Sequence, residues 1–183
     1  GIVAGCNSLI ANCLGERNKM AASIYSYNTL LFAVLFSIII TFGGIYFSYD
    51  LLKIMGNSDE GINLAKEYTD IIFLGSIVFL IQTSLNAILY SQGDTKSYRN
   101  FLIVGLIFNI ILNPIFIFGL FFIPAFGIAG LAISTILIQI AGCIYLFLKV
   151  NKTELKIVLK IENFLPRRNF LVNIFYQVIP ITF

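Results

Sequence analysis

The stretch GDTKSYRNFLIVGLIFNIILNPIFIFGLFFIPAFGIAG, Gly93 to Gly130, decides what kind of protein this is. It opens on a polar turn, Gly93-Asp94-Thr95-Lys96, and runs into a long apolar segment with Asn109, Asn113 and Pro114 set inside it. It closes on a small-residue patch, Gly127-Ile128-Ala129-Gly130. An apolar run of this length crosses a bilayer as a helix, and amides and a proline inside such a helix are costly unless they face protein or a water-filled cavity. The segment therefore reads as one wall of a polar pathway rather than as an anchor.

The rest of the chain agrees with a membrane setting. Of 183 residues, 58% are hydrophobic and 11% charged, with a mean hydropathy of +0.92, whereas a soluble domain carries roughly 25% charged residues. Residues 22–48, 68–91, 100–123 and 124–148 are apolar runs with no more than peripheral charge, each reaching the ~20 residues that span the hydrocarbon core. Residues 1–14 read as the tail of a further span, and 170–183 as the opening of another, as expected for part of a longer chain. The fold class is an all-α polytopic membrane protein, a helical bundle.

Charge sets the expected orientation. Arg17 and Lys19, then Lys96 and Arg99, then Lys149, Lys152, Lys156, Lys160, Arg167 and Arg168 fall in alternate loops, so ten of the twelve Lys and Arg residues lie on one side and only Lys53 and Lys66 on the other. By the positive-inside rule the loops 15–21, 92–99 and 149–169 are cytoplasmic, and the 49–67 loop and the 120–125 turn external, in a multi-pass protein of the cell inner (plasma) membrane. The net charge of +3 reflects this topology and not nucleic-acid binding. Residues 149–169, with Lys152, Lys156 and Lys160 four apart, are expected to link two bundles, either as an interfacial helix or as a solvated basic segment. Tyr46, Tyr49, Tyr68, Tyr90 and Tyr98 fall near span ends, as aromatic-belt residues do.

Catalysis has no foothold. The chain has no histidine, carboxylate pair or phosphate-cradling glycine loop, and Cys6, Cys13 and Cys143 lack metal-ligand spacing. No enzyme activity, cofactor or resident metal is expected, and the cysteines read as small packing residues. Gly43-Gly44 and Gly127-Ile128-Ala129-Gly130 read as close helix contacts.

The informative residues are the intramembrane amides. Asn109 and Asn113, four apart, stack on one helix face about 6 Å apart. Pro114 lacks an amide hydrogen, so it marks a helix kink and leaves the carbonyl of Ile110 without its helical partner. Oxygens of this kind suit a hard cation, and a transient Na⁺ at Asn109 and Asn113 is the expected ligand. Gln82, Asn86 and Tyr90 recur at the same spacing on the preceding span, and Thr135 and Gln139 on the following one. A shared cavity lined by Gln82, Tyr90 and Gln139 accounts for all three stripes. The alternative is that the amides only join helices, at about 0.6 kcal/mol per bond. All nine acids fall in loops or at span edges by this assignment, Asp70 being nearest to entering. Asn113 can therefore hold a cation or a substrate but cannot carry a proton.

Several ordered motifs carry a family resemblance: Leu51-Leu52-Lys53-Ile54-Met55-Gly56; Asn86 to Tyr90 leading into Gln92-Gly93-Asp94-Thr95-Lys96; Asn109-Ile110-Ile111-Leu112-Asn113-Pro114; and Phe126-Gly127-Ile128-Ala129-Gly130-Leu131-Ala132. Together they resemble the MATE (multidrug and toxic compound extrusion) efflux transporters, of DinF- and NorM-like type. The resemblance implies a two-lobe antiporter that exports cationic or amphipathic organic compounds in exchange for Na⁺ or H⁺ by alternating access. This chain would be its amino-terminal six-helix lobe over 1–148, without the first helix, followed by the 149–169 linker and the start of the next helix. In the DinF-like branch an amino-lobe cation site draws on an Asp of the first helix, an Asn of the fourth, an Asn and an Asp of the fifth and a Thr of the sixth. Asn86, Asn109 and Thr135 match three of these, while Asn113 stands near the proline where the family often has Asp. The resemblance implies small organic cations or amphiphiles, the coupling ion and membrane lipid as partners. The readings set against it are a lipid-linked sugar flippase of the same superfamily, which needs cationic residues in its cavity, and a non-transporting membrane scaffold.

Overall fold

Each connection between helices is built from a local signal in the sequence. The computed structural model describes residues 2–55, 59–120, 122–153 and 155, and among these are six α-helices and no strand. They are α1 (Ile2–Gly15), α2 (Lys19–Ile54), α3 (Asp59–Leu74), α4 (Ser76–Ser91), α5 (Lys96–Phe118) and α6 (Ile128–Val150). The 149–169 linker beyond Leu155, and residues 170–183, lie outside the described residues.

α1 ends in a Schellman turn. Arg17 takes the left-handed conformation (φ 58°), its N–H donates to Leu14, and the Asn18 N–H donates to Cys13. Asn18 then caps α2 by accepting from the Ala21 N–H at 3.0 Å. The same device closes α4, where Gly93 (φ 83°) donates to Tyr90 and Asp94 to Leu89. α5 stops at Gly119 (φ 71°), where a Cβ would come within 2.4 Å of the Ala125 nitrogen, so only glycine fits both the conformation and the space. Phe126 and Gly127 then donate back to the carbonyls of Phe116 and Ile117, which folds the connection onto the end of α5.

α2, α5 and α6 are long and apolar enough to span a membrane, and Gly61–Leu74 with Ser76–Ser91 forms a fourth span if the bent pair counts as one, with 47° between its halves. The run read from residue 68 starts at Asp59 instead, because α3 is amphipathic and hydropathy registers only its apolar end. Asp70, placed at a span edge by the sequence, therefore lies within α3, paired with Lys66 and accepting from Ser48 Oγ at 3.1 Å. The runs read as abutting at 123 and 124 are separated by the connection from Gly119 to Gly127.

The chain divides into two units, each described by itself. Unit 1 comprises Gly1–Val34, Ile81–Asn100 and Cys143–Phe183, and unit 2 comprises Leu35–Leu80 and Phe101–Gly142. Unit 1 has a buried cluster drawn from α1 (Cys6, Leu9, Ile10), α2 (Ala22, Tyr25, Tyr27), α4 (Leu85, Ile88, Leu89) and α6 (Leu146, Val150). Cys6 is buried, and Cys13 and Cys143 are half-buried free thiols, in keeping with packing roles.

In unit 2 the α3–α4 break is stapled to α2. Thr41 Oγ1 donates to the Phe73 carbonyl at 2.8 Å, and Ser76 Oγ lies 2.8 Å from Thr41 Oγ1 and 3.2 Å from the Ser37 carbonyl. The Thr41 hydroxyl thus meets a carbonyl beside the break at Gly75, as a helix interrupted at membrane depth requires, and Ser76 ties the start of α4 to α2. Phe42, Ile39, Leu106 and Ile110 are 74%, 64%, 63% and 68% exposed. In a bilayer that exposure faces lipid, so packing and hydrogen bonds rather than burial from water hold the helices together.

Candidate functional site

Unit 2 contains the α5–α6 hairpin, and its register follows from three contacts. A Cβ on Gly130 would meet the Phe116 carbonyl oxygen at 2.5 Å, Asn113 Oδ1 accepts from Ser134 Oγ at 2.5 Å, and a Cβ on Gly105 would lie 3.3 Å from Ile138. Gly105, Asn109 and Asn113 are four apart on α5, so Asn109 sits on the face that its two neighbours press against α6. Both amides are half-buried, as are Thr135 and Gln139 on α6. The absence of a side chain at Gly130 lets α5 and α6 approach closely enough for the bond at Asn113.

The hydroxyls of α6 divide their work. Ser134, 0% exposed, has two acceptors in reach, Asn113 Oδ1 and the Leu131 carbonyl at 3.0 Å. Thr135 Oγ1 donates to that same carbonyl at 2.8 Å. Gln139, one turn on, has its Oε1 buried without a hydrogen-bond partner among the described residues. α5 continues through Pro114 to Phe118. Ile110 and Pro114 are exposed, so the carbonyl that Pro114 leaves without a helical partner opens on that strip, about 100° around the helix from the amides. Asn109 and Asn113 thus give α5 two neutral amides on the side that meets α6, while Thr135 and Gln139 lie on the stripe of α6 one residue around from Ser134 and Ile138. None of these four side chains titrates. Among the described residues no group of three or more His, Cys, Asp or Glu is placed to hold a metal.

The remaining sequence-selected residues belong to unit 1. Along α4, Gln82 is 2% exposed, Asn86 half-buried and Tyr90 54% exposed. Asn86 is five residues from the end of α4 at Ser91, in a turn where Leu85, Ala87, Ile88 and Leu89 are all buried. Other polar residues escaped notice in the sequence: Asn7 on α1 and Ser26, Asn28 and Thr29 on α2, the last three 2%, 4% and 3% exposed. Their signal was present as a polar cluster within an apolar run. It is muted because Ser26 Oγ, Asn28 Nδ2 and Thr29 Oγ1 each donate to the carbonyl four residues back. A groove of about 500 Å³ in unit 2, lined by Gly61, Leu64, Tyr68, Ile128 and Leu131 among others, is apolar and includes none of the residues selected from the sequence for binding or for the cavity lining.

The MatE family model matches residues 1–115. The chain is 30% identical over 154 residues to the probable multidrug resistance protein YoeA of Bacillus subtilis (strain 168), covering 84% of this chain and 33% of that protein. It is 33% identical over 153 residues to the probable multidrug resistance protein NorM of Thermotoga maritima, covering 82% and 32% respectively. The chain thus spans about a third of the length of these curated relatives. It superposes with a TM-score of 0.86 and 26% identity on the inward-facing conformation of a multidrug resistance MATE family transporter of the MOP superfamily, over 98% of this chain and 40% of that one.

Proposed function

We propose, from the premise that the chain belongs to the MATE family of multi-pass membrane transporters and is not an enzyme, that it forms part of a secondary antiporter. The antiporter exports cationic or amphipathic organic compounds in exchange for Na⁺ or H⁺. The observation that supports this reading is the meeting of α5 and α6 at an amide: Asn113 accepts from Ser134 Oγ, Asn109 lies one turn away on the same face of α5, and Thr135 follows Ser134 in α6. Amide and hydroxyl oxygens hold a cationic headgroup or a bare cation without the deep Coulomb well of a carboxylate, which keeps binding weak enough for release. Asn86, on α4 of unit 1, is assigned to substrate or cation binding as well, on the strength of its match to the family pattern. Because Asn113 does not titrate, this face senses the coupling ion only by direct ligation, and proton coupling requires a carboxylate elsewhere in the complete protein. The protein resides in the plasma membrane with the Lys- and Arg-rich connections in the cytoplasm.

The test is efflux of a fluorescent organic cation from cells expressing the complete protein, compared with an Asn109→Ala variant of equal abundance. Loss of efflux in the variant supports an exporter that uses this face. Unchanged efflux removes Asn109 from the site, and absence of efflux from the wild type across several cations removes cation export.

A further inference from the structure

The Lys and Arg residues described in unit 1 gather at one end of it. Arg17 and Lys19 flank the turn from α1 to α2, Lys96 and Arg99 lie in the first turn of α5, and Lys149 and Lys152 lie in the last turn of α6 and the turn after it. Their neighbours show that these helix ends meet. Ala22 and Val150 belong to the buried cluster of unit 1, and Leu14 and Tyr98 pack against it, each within three residues of one of these charges. Lys149 also reaches the α4–α5 turn directly. Behind the Ser97 hydroxyl bond and the backbone N–H bonds, its charge is a further cause lowering the Asp94 pKa, and Asp94 accepts from the Lys96 N–H at 3.1 Å.

Charge at this end is unbalanced. Glu16 and Asp94 are its acids among the described residues, and Asp94 is engaged by three donors at the start of α5. Arg17, Lys96, Arg99 and Lys152 are exposed and make no ion pair among the described residues. Lys149 is half-buried, with Nζ 5.6 Å from the centroid of the Tyr145 ring. Beneath the charges α6 turns an apolar strip outward. Ile144, Leu148 and Lys152 are four apart and all exposed, so one side of the helix end passes from apolar to basic.

We propose that this end of unit 1 binds an anionic phospholipid, its headgroup phosphate at Lys96, Lys149 and Lys152 and its acyl chains along Ile144 and Leu148. Charge and place together select the occupant. Lys and Arg at headgroup level attract anionic lipids, whereas a zwitterionic headgroup brings its own cation and leaves the excess charge unmet. A soluble anion would meet the lysines but leave the apolar strip without a partner. The site uses none of the residues assigned to transport, so it stands or falls independently of that reading.

The test is lipid retention by the complete protein, purified with equal phosphatidylglycerol and phosphatidylcholine and read by native mass spectrometry. The wild type is compared with Lys96→Gln/Lys149→Gln/Lys152→Gln, with Ile144→Ser/Leu148→Ser, and with Lys53→Gln as a control in another loop. The wild type is expected to retain phosphatidylglycerol in preference, and the triple variant to lose about five-fold in that preference for each Lys removed. The serine variant is expected to bind both lipids more weakly, and Lys53→Gln to match the wild type. An unchanged preference in the triple variant, or an equal loss in Lys53→Gln, overturns the site. Full retention by the serine variant, with inorganic phosphate displacing the lipid, shows an anion site instead and overturns the lipid. If the triple variant fails to fold, Lys152→Gln alone, at an exposed position beyond α6, gives the same reading with a five-fold loss expected and none refuting it.

Discussion

Asn113 shows how far a single residue can be read from its neighbours in sequence. Its i, i+4 pairing with Asn109 marked a polar face on α5, and the structure confines both to half-buried positions there. What the spacing did not disclose is the partner. Ser134 Oγ is the group that meets Asn113 Oδ1, at 2.5 Å, whereas the hydroxyl of the next residue, Thr135, turns to the backbone of Leu131. One residue rotates a helix by about 100°, so adjacent hydroxyls face different surroundings, and composition alone cannot rank them. Removing the donor with Ser134→Ala leaves Asn113 Oδ1 short of a partner. The expected cost is about 0.6–1.7 kcal/mol, the range for hydrogen bonds between membrane helices, read as a lowered unfolding temperature of the complete protein. An unchanged unfolding temperature would show that the bond contributes nothing to joining α5 and α6.

At the level of the element, α5 owes its start to Asp94. The carboxylate accepts from the backbone N–H groups of Lys96 and Ser97 at 3.1 and 2.9 Å and from Ser97 Oγ at 2.6 Å. The Ser97 hydroxyl bond is the main reason its pKa lies below the ordinary aspartate value, with further lowering by the two backbone N–H groups and by Lys149 outweighing partial burial. A carboxyl whose folded pKa is depressed stabilises the fold above its unfolded pKa, about 3.9, and loses that contribution as pH falls through the folded value. Asp94→Ala should therefore cost about 1 kcal/mol at neutral pH. Asp94→Asn, which still accepts hydrogen bonds, should keep most of the cap and flatten the pH dependence of unfolding below about pH 4. Equal pH profiles for wild type and Asp94→Asn would refute the cap as the source. The turn around Asp94 was legible because its signals are local, whereas the interruption at Gly75 was not. A 47° bend stapled by Thr41 and Ser76 depends on α2 presenting hydroxyls at that height, and the apolar run through 68–91 gives no hint of it.

For the molecule as a whole, orientation is the most direct consequence of charge. In a version lacking Cys6, Cys13 and Cys143, a cysteine placed at Thr95 should react with a membrane-impermeant thiol reagent only from the cytoplasmic side. One placed at Phe122, fully exposed in the connection after α5, should react only from outside. The reverse labelling would invert the topology. Because the chain covers about a third of its curated relatives, these measurements belong to the complete protein. Hydropathy and the four-residue spacing of amides are properties of one dimension, so the amino-acid sequence alone determined the membrane class and the all-helical architecture, and it set Asn109 and Asn113 on one face of α5. The tertiary structure alone decided that Asn113 pairs with Ser134, that Gln82 is buried with a donor unmet among the described residues, and that the helix breaks at Gly75 between α3 and α4. Each of these depends on what another helix places at the same height, a relation through space that periodicity along a single helix does not contain.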